Sequence, residues 1–222
     1  MDLHTDGQHD ERRSKLLKKI ALSVMKNGFQ QLRMEDIAKH MDISRTTMYK
    51  HFSSKEEVID GVVQVFVDYI ATLEWENAEE DELEFGICFQ KLYGQTLSIG
   101  GIITDRFIKD LQSAYPNLYD KLEDALIMHK KKALEFYKTG KDKEIFNPIN
   151  ENFILLQDDL LLREIINTKY LIYNQTSIRQ VLYDYYQFQK IQLFKAEKLS
   201  IVDDSKIEPI IEHLVEKFNK TL

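Results

Sequence analysis

Helix breakers and covalent staples are both scarce in this sequence. Its 222 residues include three prolines, eight glycines, one cysteine and one tryptophan. So few breakers, set among abundant Leu, Ile, Lys, Glu and Gln, predict an all-α protein with short connections. A single cysteine, Cys88, excludes an internal disulfide and cannot anchor a zinc site by itself. No stretch approaches roughly 18 unbroken apolar residues, which excludes a membrane-spanning helix. The opening segment MDLHTDGQHDERR has no apolar run of the kind a secretory signal needs, so a cytoplasmic protein is expected. Catalytic parts are missing too. There is no Gly-rich phosphate loop, no GxSxG and no HExxH, and His4, His9, His129 and His213 are scattered. The expectation is therefore no enzyme, no metal and no cofactor. The length accommodates one large domain, or a small one and a medium one.

The net charge of −7 is unevenly spread. Residues 12–55 carry eleven Lys/Arg against three acids (Glu35, Asp36, Asp42), a local balance of +8. Residues 61–222 hold 19 basic and 27 acidic side chains, a balance of −8. Such asymmetry is the electrostatic footprint of a nucleic-acid face on an acidic body, which would confine contact with DNA to the basic end. The acidic run at 74–84, EWENAEEDELE, reads as a solvated connector.

Along the chain, residues 1–9 are patternless and read as a flexible arm. A helix is expected from Asp10, with Leu16, Leu17, Ile20, Ala21 and Val24 on one face and a stop at Asn27-Gly28. A second helix is expected over Met34–Met41, and a third whose first turn is Arg45-Thr46-Thr47, capped by Ser44. Ser54 and Glu57 have the spacing of a capping box for a fourth helix, about 55–74. Further helices are expected over 83–98, 103–115, 117–139 (closed by Gly140), 149–168, 177–198 and 204–220.

The span Phe29–Lys55 has the build of a helix-turn-helix, whose second helix enters the major groove of DNA. Ala38 supplies the small residue where the two helices cross, and Ile43 the hydrophobe between them. The outward face of the third helix is Arg45, Thr46, Thr47, Tyr49 and Lys50. Arginine and lysine pair with guanine, and threonine methyls pack on thymine methyls. Tyr49, His51 and Lys55, with the N-terminus of the fourth helix, suit phosphate oxygens. Arg33 and Ser44 complete the expected DNA-binding set.

The run GFQQLRMEDIAKHMDISRTTMYKHFSSKEEVI closely resembles the N-terminal signature of TetR-family (tetracycline-repressor-like) bacterial regulators. The resemblance rests on Gly28-Phe29, Ile37-Ala38, Ile43-Ser44, Thr47, Tyr49, His51-Phe52 and Lys55, and covers roughly residues 10–60. It implies an N-terminal three-helix DNA-binding domain (10–54) and a C-terminal helical ligand-binding and dimerisation domain (55–222), with the helix at 55–74 linking the two. It also implies that a ligand swings that helix, changes the spacing of two readers and releases DNA. Three positions depart from the usual pattern. Asp42 stands where glycine is common, Arg33 where a capping threonine is common, and Thr46 where a small residue is frequent.

For the remaining residues the resemblance implies a pocket wall that includes Phe89, Tyr93, Phe107 and Leu111, whose apolar character favours a hydrophobic or flat ligand. Ile178, Leu182 and Tyr185 lie on a helix apolar on more than one face. Such a helix is either central to its own core or shared with a second subunit. With Phe153 and Leu160 of the broad apolar face at 149–168, they are the residues expected at a dimer interface once the resemblance is counted. The expected partners are double-stranded operator DNA, an unknown small-molecule effector and a second copy of the chain, with no membrane. The expected function is a ligand-responsive repressor on a palindromic operator. The alternatives are a helical enzyme or carrier that keeps the helix-turn-helix as scaffold, and a ligand-independent activator or architectural DNA-binding protein.

Overall fold

The structure is a computed structural model that describes residues 3–73 and 81–219, with the backbone alone described for 3–9. Among these residues the fold is all-α, with eleven α-helices, two 3₁₀ turns and one isolated bridge. No described helix is long and apolar enough to cross a membrane. The described residues form two compact units that do not follow chain order. One comprises the residues up to Thr72 together with Ile102–Leu126, the other Leu73–Gly101 and the residues from Ile127 onward.

The first unit holds α1 (Leu3–Asn27), α2 (Met34–His40), α3 (Arg45–His51), α4 (Lys55–Ala71) and α6 (Asp105–Ala114), with the start of α7 (Pro116–Asp142). The expected stripe of α1 is buried, Ile20 and Val24 completely. It packs against α4, where Val58, Val62 and Phe66 are buried. α1 begins at Leu3, so residues 3–9 continue a helix where an arm was expected. No proline interrupts that stretch, and propagation, which adds one hydrogen bond per residue fixed, carries the helix through Gly7. At the other end Gly28 has φ +74, the left-handed conformation that closes the helix. A β-carbon there would lie 2.4 Å from Asp110 Oδ2, so the position demands glycine for space as well as for conformation.

Asp110 explains that closeness. Its Oδ2 accepts hydrogen bonds from the backbone N–H of Phe29 at 2.6 Å and of Gln30 at 3.1 Å. Thr104 donates from Oγ1 to the Met25 carbonyl at 2.8 Å, satisfying an orphan acceptor at the end of α1. Phe29 packs edge-on to Phe107 at 5.9 Å and stacks on Tyr115 at 5.6 Å. The loop after α1 is thereby held in place by α6.

The second unit contains α5 (Glu82–Gly100), the rest of α7, α8 (Glu151–Ile165), the short α9 (Thr168–Tyr173), α10 (Ile178–Leu193) and α11 (Glu208–Asn219). Its core is aromatic. Phe85, Phe136 and Phe146 meet within 5.2–5.8 Å, and Phe89 contacts Tyr186 at 5.5 Å and Phe194 at 5.3 Å.

Several helix ends differ from the sequence expectation, each for a local reason. The fourth helix stops at Ala71, and 74–80 of the acidic connector lie outside the described residues. Asp81 instead caps α5 by accepting from the Leu83 N–H at 3.0 Å. Gly140 does not close α7, which runs on to Asp142. A β-carbon there would stand 2.1 Å from the Phe146 ring, so the glycine makes room for a side chain rather than a stop. α8 is shorter than 149–168 because Asn150 caps its start and Asn167 starts α9. α10 ends at Leu193 because Phe194 turns extended to bridge Phe146, with the Asn147 N–H donating to the Leu193 carbonyl at 2.7 Å. The last α-helix begins at Glu208, not 204: Asp204–Lys206 form a separate 3₁₀ turn, and Pro209, which has no N–H to donate, falls in the first turn of the helix.

Candidate nucleic-acid interface

Local sequence builds the reader almost unaided. α2 carries Glu35 and Asp36 in its first turn, and the Asp36 carboxylate accepts from the Arg33 N–H at 3.1 Å. Asp42 takes φ 59 in the turn, the conformation an aspartate tolerates. The Ile43 N–H then donates to the Ala38 carbonyl at 3.0 Å, setting the angle between the helices. Ser44 caps α3, its Oγ accepting from the Thr47 N–H at 3.1 Å and lying 2.9 Å from Thr47 Oγ1. Ile37, Ala38, Met41, Met48 and Phe52 are buried. That leaves Arg45, Thr46, Tyr49 and Lys50 exposed on one side of α3, with Thr47 half-buried.

The supports behind this face are specific. Arg13 of α1 donates to the His51 carbonyl at 3.1 Å, pairs with Glu57 at 2.6 Å and lies 4.7 Å over the Phe52 ring. Lys19 donates to the Met41 carbonyl at 3.2 Å, at the end of α2. Ser54 caps α4 by accepting from the Glu57 N–H at 3.1 Å, whereas Glu57 reaches back to Ser53 N–H and Oγ, at 2.7 and 2.8 Å, rather than to Ser54. Those Ser53 contacts, with Arg13, hold the Glu57 carboxyl below its ordinary pKa.

The nine residues expected at DNA are not equivalent. Arg33, Ser44, Arg45, Thr46, Tyr49 and Lys50 are exposed, and Thr47 and Lys55 are half-buried. His51 is 9% exposed, with its ring 6.4 Å from that of Phe52, so its side chain belongs to the packing under α3. Lys55 donates to the Gln30 carbonyl at 2.9 Å and lies 5.6 Å over the Phe29 ring. Burial lowers its pKa, with Asp110 pulling the other way. Lys55 thus ties α4 to the same loop that Asp110 holds. The sequence reading missed Glu35. It pairs with Arg45 at 2.7 Å, both side chains more than half exposed, while the Arg45 guanidinium sits 5.8 Å from the Tyr49 ring. The pair joins two helices across a turn, ten residues apart, where periodicity carries no signal.

The residues expected at an effector pocket divide between the units. Phe107 and Leu111 are completely buried in the first. Phe89 and Tyr93 are in the second, where Phe89, Tyr137, Ile154, Gln189, Gln192 and Leu193 line a cavity of about 10 Å³, room for roughly one water. Of the residues expected at a dimer interface, Phe153 and Leu160 are exposed at 59% and 62%. Ile178, Leu182 and Tyr185 point the other way, into their own core, because that stripe of α10 is covered by α5, α8 and α11. The exposed large hydrophobic side chains of α10 are Tyr183, Phe188 and Ile191 instead.

Comparison with known proteins bears on the reader first. The sequence model of a family described as "Bacterial regulatory proteins, tetR family" matches residues 20–62. The HTH-type transcriptional repressor KstR2 of Mycobacterium tuberculosis is 34% identical over 64 residues, 29% of this chain and 32% of that protein. The Staphylococcus aureus regulator IcaR, named as a negative transcriptional regulator of the biofilm operon icaADBC, is 24% identical over 97 residues, 44% of this chain and 46% of its own. The chain therefore matches a third to a half of the length of these relatives. Among solved structures, a transcriptional regulator from Saccharomonospora viridis, described in complex with choline, aligns with TM-score 0.61 and 18% identity over 84% of this chain and 99% of that one. The structure of KstR2 aligns with TM-score 0.55 and 21% identity over 83% of this chain and 95% of its own. At these identities the likeness is one of fold, an N-terminal helix-turn-helix domain followed by a helical domain. Residues 20–62 thus carry the signature of the tetR family of bacterial regulatory proteins.

Proposed function

We propose that this protein is a transcriptional repressor that binds a palindromic or near-palindromic operator as a homodimer and is released by a small-molecule effector. The observation that carries the reading is the exposed face of α3, with Arg45, Thr46, Tyr49 and Lys50 directed outward from a helix-turn-helix on the segment 12–55 of balance +8. Arg33, Ser44 and Thr47 flank that face and suit phosphate contacts, and Lys55 contributes charge at the start of α4.

Two-fold symmetry has support in the second unit. Phe153, Leu156 and Leu160 share one face of α8 and are each more than half exposed, as is Ile191 of α10, with Phe188 at 49%. The reciprocal amide pair of Gln157 and Gln192, at 2.9 and 3.0 Å, holds the two helices side by side. An apolar patch of this kind marks an association surface, and a second copy laid against it would give the two readers that a palindrome requires. A repressor of this kind works in the cytoplasm, where its operator is.

Binding-site selection from a random duplex library tests the reading. An enriched inverted repeat with half-sites about one helical turn apart, or a multiple of it, is the expected outcome. A selected pool without any shared motif would sink it.

A further inference from the structure

Met48 and His51 of α3 are buried and Thr47 is half-buried, which leaves Arg45, Thr46, Tyr49 and Lys50 exposed. None of these four side chains is a carboxylate or an amide. Asparagine and glutamine are the partners of adenine N6 and N7, and glutamate and aspartate accept from cytosine N4. The face presents two cations, two hydroxyls and apolar surface instead. Those groups suit the bases that show acceptors to the major groove, guanine with O6 and N7, and thymine with O4 beside its methyl group. Glu35 of α2, whose carboxylate could accept from cytosine, is engaged by Arg45 at 2.7 Å. The exposed residues also pair off along the helix, Arg45 with Tyr49 and Thr46 with Lys50, each pair one turn apart. In the first pair the Arg45 guanidinium carbon lies 5.8 Å from the centre of the Tyr49 ring, within range of a cation–π contact. Tyr49 remains 48% exposed, so much of it is open beside the guanidinium.

We propose that Arg45 and Tyr49 together read a thymine–guanine step in each operator half-site, with the thymine on the 5′ side and recognised by its methyl group. The proposal rests on the reading of the protein as a DNA-binding regulator and names bases that its α3 selects. Arg45 donates to guanine O6 and N7, the bidentate pairing that its planar fork fits. On the strand that carries this guanine, the methyl group of a preceding thymine projects into the major groove beside the same edge. An arginine paired with the guanine therefore covers the methyl group with its guanidinium, and the Tyr49 ring extends the covering surface. Burial of the methyl group favours only a base that has one, so an unmethylated cytosine there is disfavoured. Tyr49, expected from sequence at a phosphate, is assigned to a base instead.

Fluorescence anisotropy with the full chain provides the test, on the duplex enriched by binding-site selection and on versions of it altered in both half-sites. The enriched half-site contains the thymine–guanine step. Replacing its thymine by deoxyuridine removes the methyl group alone and weakens binding roughly tenfold, about threefold for each methyl group. Replacing its guanine by 7-deazaguanine, which lacks the N7 acceptor, weakens binding by at least as much. Cytosine in place of the thymine is bound more tightly with a 5-methyl group than without one. In Tyr49→Ala the loss caused by deoxyuridine shrinks, and in Arg45→Ala the loss caused by 7-deazaguanine disappears. Both side chains are exposed, and melting curves check that the variants fold. Should either fail to fold, the response of the wild type to the modified bases decides alone. An enriched motif without a thymine–guanine step, no response to loss of the methyl group or of N7, no gain from 5-methylcytosine, or a deoxyuridine response unchanged in Tyr49→Ala overturns the proposal. Sequence-preferring binding that accompanies any of these results keeps the regulator reading. A selection that enriches no motif loses both.

Discussion

Arg45 and Glu35 illustrate how much of this protein's behaviour is set one side chain at a time. Arg45 is the exposed arginine of α3, yet in the free protein its guanidinium is engaged by Glu35 at 2.7 Å. An exposed ion pair of this kind contributes little to stability, about 0–1 kcal/mol. Its larger effect is on DNA, where Glu35 both competes for the arginine and repels phosphates. Glu35→Gln is therefore expected to tighten binding several-fold at low salt without a change in melting temperature, measured by fluorescence anisotropy on a short duplex. The gain should shrink as added salt screens the lost charge. An unchanged or weakened affinity would mean that Glu35 instead orients Arg45 for its base. The sequence yields Arg45 as a reader by its place on α3, but Glu35 lies ten residues away across a turn whose geometry decides the pairing.

At the scale of elements, what was legible from sequence is what is local. Ser44 with Thr47, Ser54 with the Glu57 N–H, and Asp42 in the turn all rest on contacts within four residues, and each is where the spacing placed it. Contacts between distant elements left no such trace. Asp110 reaches Phe29 across 81 residues, and Asp158 reaches Tyr185 and Gln189 across about thirty. Periodicity identified the apolar stripe of α10 but not which neighbour covers it, so Ile178, Leu182 and Tyr185 turned inward where an interface was expected. The Asp110 contact sets the entry into the reader, and its weight can be measured. Asp110→Ala leaves two buried or half-buried N–H groups without their acceptor, a cost of about 1–3 kcal/mol for each such group. We expect a clear drop in the urea midpoint together with weaker DNA binding, since the loop before α2 loses its anchor. A variant with wild-type stability would show that water takes over both hydrogen bonds.

The whole molecule combines a basic reader of local design with an acidic unit built from long-range packing. Its symmetry is the step from one to the other. On the account above, the exposed face of Phe153, Leu156, Leu160, Phe188 and Ile191 is covered by a second copy. Ile191→Glu, on a side chain that is 63% exposed, should leave the protomer folded by circular dichroism while shifting sedimentation at micromolar concentration from dimer to monomer. Operator affinity should fall with it, because one half-site alone supplies half the phosphate contacts. A variant that sediments as the wild type does would place the interface elsewhere.

The central claim is that α3 reads DNA, and the most direct measurement is the salt dependence of binding to a selected duplex and to its scrambled counterpart. Binding to the selected duplex should be tighter at every salt concentration, with log K falling linearly against log salt at a slope of several. In Lys50→Ala that slope should shrink by about one for each subunit bound. Equal affinity for the two duplexes, or a slope near zero, would contradict it.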